Sequence, residues 1–208
     1  YFMLGLPTET DEDVLGIADL ARKVYFAWRE YTPNPKRGGR ITVSTSWFVP
    51  KPHTAFQWEA QIPVEEYQRR VGLLRDALKR DKSITYNWHD PQTSYLEAIF
   101  SRGDRRLADV LEWAWQHGAK FDSWSEYFDY QRWMDALEAC GLDGDFYAHR
   151  ERPRDEVFPW CRIDPMVTPA FLWREREQCY QSQTTPDCRT RCSGCGANRL
   201  LKGGVCNG

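Results

Sequence analysis

Long apolar runs are missing from this sequence. No stretch approaches the ~20 consecutive apolar residues that a membrane-spanning helix needs, and no basic segment followed by an apolar one marks a secretory leader. No membrane partner is expected, and the expected compartment is cytoplasmic. An excess of one charge is missing too. The 28 Lys and Arg stand against 30 Asp and Glu, which argues against a general electrostatic hold on nucleic acid and leaves room only for a local basic groove. Internal repeats and low-complexity tracts are absent. Cysteine is absent before Cys140, whereas a secreted chain of this size stapled by disulfides would spread its cysteines over the fold. An initiating methionine is also lacking. Tyr1-Phe2-Met3-Leu4 already reads as a buried strand, so the natural N-terminus is expected to lie upstream.

What is present is enough apolar material for a core: 41% of 208 residues, with ten each of Trp, Tyr and Phe. Aromatics at that density usually mean heavy packing, and less often a large ligand pocket. The chain opens with the strand at 1–4, ended by Gly5-Leu6-Pro7. Thr10-Asp11-Glu12-Asp13 has the pattern of a helix cap with an acidic first turn, and Val14, Ile17, Ala18, Ala21 and Val24 follow at helical spacing to about Trp28. After the loop at 33–39, residues 41–49 alternate as a strand does. A helix is expected over 64–80 and a third strand over 84–88. Strand, helix and strand in this order imply a parallel sheet with right-handed crossovers. Helices are expected over about 94–100, 105–117 and 124–140, punctuated by Gly103, Gly118 and Gly141, and a last one over 169–180. The tryptophans at 113, 115, 124 and 133 sit at helical spacing and are expected in the core. Phe158-Pro159-Trp160 reads as a docking anchor, and the tail from Gln181 is too polar to fold without a cross-link or a metal.

Four groups of residues could carry chemistry. Gly5-Leu6-Pro7-Thr8-Glu9-Thr10 lies between a strand and a helix, where α/β proteins gather ligands. A glycine lets backbone approach a ligand and a helix N-terminus favours anions, although an ordinary βα turn would look the same. Cys188-x-x-x-Cys192-x-x-Cys195 is a soft-ligand triplet that could converge on one centre, with Cys206 or Cys179 as a fourth ligand. The centre would be a 4Fe–4S cluster or zinc; free or disulfide-bonded thiols are the remaining reading. Arg102-Gly103-Asp104-Arg105-Arg106 sets three guanidiniums around one carboxylate, as an anion site would, or as a helix-start network with Asp104 as cap. His53 and His89 follow strands, and His89 has Asp90 beside it, so it is the candidate acid or base; an exposed loop histidine is the plainer reading.

Met3 to Asp13 resembles the late-barrel segment of radical SAM enzymes, and Phe48 to Trp58, with Pro50 and Thr54, is similar to the loop that ends the next strand there. Trp88-His89-Asp90, Leu96 to Arg106, and the tail from Thr185 to Gly196 extend the likeness to an uncharacterised family of cobalamin-domain-containing radical SAM proteins. Thr8 departs from it, standing where many relatives have Gly. The resemblance implies an α/β fold that is the C-terminal part of a partial TIM-like barrel over 1–90. A helical extension over 91–145 and an irregular segment with a Cys-rich tail over 146–208 would follow it. It implies S-adenosylmethionine (SAM) as cofactor, a 4Fe–4S cluster held upstream, cobalamin as a further cofactor, and an electron donor such as flavodoxin or ferredoxin. Gly5, Pro7, Glu9 and Thr10 would shape the SAM pocket. Residues 53 to 58, with His53, and His89 would line the substrate side, and Arg102, Arg105 and Arg106 are where a phosphate-bearing substrate such as RNA or a nucleotide would be met. Cys188, Cys192, Cys195 and Cys206 would hold an auxiliary centre, because the triplet follows the barrel elements, whereas a SAM cluster follows the first strand. The expected activity is reductive SAM cleavage and radical modification of a substrate by the intact protein, this piece being inactive alone. The alternative is a zinc-stabilised binding module that contacts RNA without catalysis.

Overall fold

The structure, a computed structural model, describes residues 1–200. The chain forms two compact units: Tyr1–Val49 with Gln61–Tyr95, and Pro50–Ala60 with the described residues from Leu96 onward.

The first unit is built from β1 (Phe2–Leu4), α1 (Asp11–Tyr31), β2 (Ile41–Trp47), α2 (Val64–Leu78) and β3 (Ile84–Trp88). Thr10 caps α1 with a reciprocal box: its hydroxyl accepts from the Asp13 N–H, and the Asp13 carboxylate accepts from the Thr10 N–H. Val14, Ile17, Ala18 and Ala21 of α1 and Tyr67, Val71, Leu74 and Leu78 of α2 form two stripes at helical period. Both stripes bury against Leu4, Val43 and Trp47 of the strands. Trp47 stacks on Tyr67 with centroids 4.9 Å apart.

The three strands are parallel in the order β1-β2-β3, with Leu4 opposite Trp47 and Val43 opposite Tyr86. This corrects the expected barrel piece. The sheet is open, and beyond β3 the described residues are helical or irregular. A barrel needs about eight tilted strands closing on one another, and nothing among the described residues pairs with the free edges of β1 and β3. The α/β character stands; the described residues form an open three-stranded sheet and close no barrel.

The second unit contains α3 (Pro91–Arg102) from Leu96 on, then α4 (Leu107–Gln116), α5 (Tyr130–Ala139), α6 (Gly144–Ala148) and α7 (Pro169–Tyr180). Here α5 begins later than its pattern suggests, because Asp129 caps it while 121–128 turns back on itself. The short α6, capped by Asp143, is too brief to show a period in the sequence. Trp58, Phe158, Trp160 and Leu172 form the unit's aromatic cluster, with Val167, Phe171 and Trp173 at its margin. Trp115 and Trp124 are exposed at 65% and 62%, against the expectation that they lie in the core. Helical spacing marks a face, not what covers it. Among the described residues no helix is long and apolar enough to cross a membrane.

Candidate functional site

Parallel strands end on one edge, and the first unit places two of the sequence motifs there. β1 runs into Gly5 and β3 into His89. Gly5 has φ +94°, and a Cβ on it would lie 2.8 Å from Ile62 Cδ1, so only glycine fits this turn. Its N–H donates to Glu9 Oε2 at 2.8 Å, and that carboxylate pairs with Arg70. Arg70 also donates to Glu66 at 2.7 Å. Hydrogen bonds from Arg69, then Arg70, hold the Glu66 carboxyl down to about 2. Thr8 takes φ +66°, a backbone state that favours glycine. The polar side chains of Glu9 and Thr10 are therefore engaged within the turn and the helix cap, and Pro7 follows Gly5 as part of the turn's rigid frame. His89 is exposed, its N–H donating to Thr45 O and its carbonyl accepting from the Tyr67 hydroxyl at 3.1 Å. Asp90 is occupied in accepting the Thr93 N–H at 3.0 Å.

The remaining predicted residues belong to the second unit. The Arg-Gly-Asp-Arg-Arg motif splits into different roles there. Arg102 is fully buried and donates to the carbonyls of Glu59 and Arg150 (2.7 Å to the latter). Burial, then the nearby Arg152 and Arg150, push its pKa down to about 10. A Cβ on Gly103 would lie 1.9 Å from Leu107 Cδ1, so glycine lets α4 start close against α3. Asp104 accepts from the Arg106 backbone and guanidinium, at 3.0 and 2.7 Å, in the turn before α4. Arg105 has no side-chain partner among the described residues and lines a shallow recess with Asp104, Arg106 and Pro159. The three guanidiniums do not gather on one point: one is structural, one is ion-paired and one is free.

His53 reaches a larger site. It sits in a strained turn, φ +58°, fixed by its N–H donating to Gln57 Oε1 at 3.1 Å. Gln57 Oε1 also accepts from Trp160 Nε1 at 2.9 Å. These residues border a cavity of about 600 Å³ whose other walls include Trp58, Phe158, Arg154, Asp164 and Arg199. His53 Nε2 and Trp58 Nε1 are buried there without a hydrogen-bond partner among the described residues. Around it the chain is knitted by arginine. The Arg152 N–H donates to Trp58 O, and its guanidinium to Arg102 O at 2.6 Å. Arg176 and the Tyr180 hydroxyl both donate to Glu59, at 2.5 and 2.9 Å. Burial, then the Glu59 carboxylate, raises the Tyr180 hydroxyl to about 12. Sequence reasoning took in Gln57 within the 53–58 loop but gave no role to Glu59, Arg152 or Arg154. The charged run 150–156 reads only as irregular, since nothing local says which of its arginines turns inward.

The cysteine tail packs on the start of α7. Cys195 O accepts the Thr168 N–H at 2.9 Å, and Arg174 donates to Ser193 O at 2.5 Å. A Cβ on Gly196 would lie 2.7 Å from Met166 O. The Cys195 sulfur accepts the Ala197 N–H at 3.4 Å, the kind of contact that supports a thiolate ligand. Cys188 and Cys192 are exposed, and no group of three or more His, Cys, Asp or Glu among the described residues is placed to hold a metal ion. Cys206, expected with the triplet as a ligand, lies outside the described residues. Burial, then the Glu175 carboxylate, raises the Cys179 thiol.

No family model and no solved structure matches the chain. It is 30% identical over 118 residues to an uncharacterized protein, MJ0966, of Methanocaldococcus jannaschii. The match takes in 55% of this chain and 23% of the relative, so the chain spans less than a quarter of that protein's length.

Proposed function

We propose that this chain is part of a radical SAM enzyme of the cytoplasm, which cleaves SAM reductively and modifies an unidentified substrate by radical chemistry, with cobalamin as a further cofactor. The observation that carries this reading is the placement of the Met3–Asp13 motif. Its turn follows a strand at the carboxyl edge of a parallel sheet, where α/β proteins bind ligands. His89 closes the third strand of the same edge and is the exposed titratable group nearest that role. The chain's own share of the work is positional. Glu9 and Arg70 hold the Gly5 turn, and Tyr67 holds the His89 turn. The cluster and its electron would come from elsewhere in the whole protein and from a flavodoxin or ferredoxin. The cysteine tail would carry an accessory centre, iron–sulfur or zinc, with no part assigned to it in the reaction.

The test is the natural protein, purified without oxygen, reconstituted with iron and sulfide, and given SAM and dithionite. Formation of 5′-deoxyadenosine is expected, together with a CxxxCxxC in the residues before Tyr1. A preceding sequence without those cysteines would overturn the reading. The second reading, a zinc-stabilised module that contacts RNA, draws on the Ala197 contact to the Cys195 sulfur and on the free Arg105. One zinc and no iron in the anaerobic protein, with RNA binding lost on Arg105→Gln, would favour it.

A further inference from the structure

The cavity beside His53 is lined for the most part by residues from Arg154 to Pro169, outside the Gly5 turn and the His89 turn. At about 600 Å³ it has the size of a small-molecule site. Its wall is aromatic: Phe158 and Trp160 stack with centroids 4.7 Å apart, and Trp58 lies 5.7 Å from Phe158. Its charges are unequal in their availability. Glu156 has both oxygens on Arg150, at 2.6 and 2.8 Å. Asp164 accepts the Met166 N–H at 2.8 Å and pairs with Arg199 at 3.3 Å. Arg154 has no carboxylate among the described residues; its guanidinium lies 5.2 Å from the Trp173 ring centroid. One planar cation among the lining residues is thus left without a carboxylate, while the Arg152 guanidinium lies 5.6 and 5.3 Å from the Phe158 and Trp160 ring centroids. Trp58 is 2% exposed and lines the cavity, yet its Nε1 donates to nothing among the described residues, and His53 Nε2 beside it is likewise unpartnered. Buried polar atoms in that state cost stability unless a partner arrives.

We propose that this cavity binds a planar aromatic ligand that carries one anionic group, a carboxylate or a phosphate. The ring would lie against the Phe158–Trp160 wall, as aromatic pairs do. The anion would take the Arg154 guanidinium, whose fork matches either group. Trp58 and His53 would supply hydrogen bonds to the ligand's ring or carbonyl atoms after a small side-chain shift.

Calorimetric titration of the 208-residue chain tests this with two probe pairs. Indole-3-acetate and its neutral amide examine the carboxylate source. Adenosine 5′-monophosphate and adenosine examine the phosphate source. At least one anionic probe is expected to bind, about tenfold or more tighter than its neutral counterpart. Arg154→Gln, at an exposed position, should abolish that preference and leave the circular dichroism unchanged. Arg162→Gln, exposed and outside the cavity lining, should leave binding intact. No heat with either anion, equal affinity for charged and neutral probes, or equal loss in the two arginine variants would each overturn the proposal.

Discussion

The two units are held together by different physics. The first is an apolar sandwich of one sheet face and two helices. Its buried polar side chains are three: Thr45, Gln61 and Ser94. Its ion pairs sit around the rim, as with Arg69 between Asp11 and Glu66. The second unit buries Gln57, Glu59, Arg102 and Arg152, and its irregular segments are fastened by guanidiniums on backbone carbonyls. Regular structure satisfies its own backbone, so side chains are free to be greasy. Irregular backbone leaves carbonyls unpaired, and long, many-donor arginines are the residues able to reach several of them at once.

This contrast can be broken from either side. The largest effect is expected for Arg102→Ala, which strands two carbonyls in the interior and leaves a void. A loss of about 4 kcal/mol is expected from the combined penalties, read as a lower urea midpoint for the second unit's near-ultraviolet signal. Retention of that midpoint would mean the carbonyls find other donors and the arginine frame is not what holds the unit. The counterpart in the first unit is Leu74→Ala, fully buried in the sandwich, for which about 3 kcal/mol is expected. Hydrogen exchange should locate the first loss in residues from Leu96 onward and the second in β1–β3. Exchange that rises equally in both would show one cooperative body and dissolve the comparison.

Gly5→Ala comes next, at about 2 kcal/mol, because the residue must keep φ +94° and its Cβ must displace Ile62. Pairing it with Ile62→Ala should not restore full stability, since the room is regained but the backbone strain is not. The smallest effect is electrostatic. Glu66 has a folded pKa near 2 against an ordinary value of 4.5. Its contribution is fully present above pH 4.5 and is lost as the pH falls from there towards 2. Denaturant titrations across that window should show the first unit weakening more in the natural protein than in Glu66→Gln. Parallel slopes would mean the Arg69 and Arg70 hydrogen bonds do not persist in solution.

Much of the first unit is legible in the residues themselves. The α1 cap at Thr10, the stripes of α1 and α2, and the strands at 41–47 and 84–88 all follow from local rules, because a buried face repeats at the period of the element that buries it. The edge on which Gly5 and His89 stand is legible for the same reason, since strand–helix–strand order puts strand ends together. The second unit is not. Arg102, Arg105 and Arg106 look alike in sequence, yet one is interior, one is free and one is paired. Trp115 and Trp124 carry the same apolar signal as Trp58 and Trp160 and lie outside.

By itself, then, the sequence determined where the elements of the first unit lie, how α1 is capped, and that a glycine turn follows β1. Those are consequences of backbone geometry within a few residues. Only the tertiary structure decided that the described residues form an open sheet of three strands, that Arg102 and Arg152 face inward, and that Cys195 lies against the start of α7 while Cys188 and Cys192 are exposed. Each of these depends on partners tens of residues away, such as Glu59 for Arg102 and Thr168 for Cys195. Spacing along the chain carries no information about them.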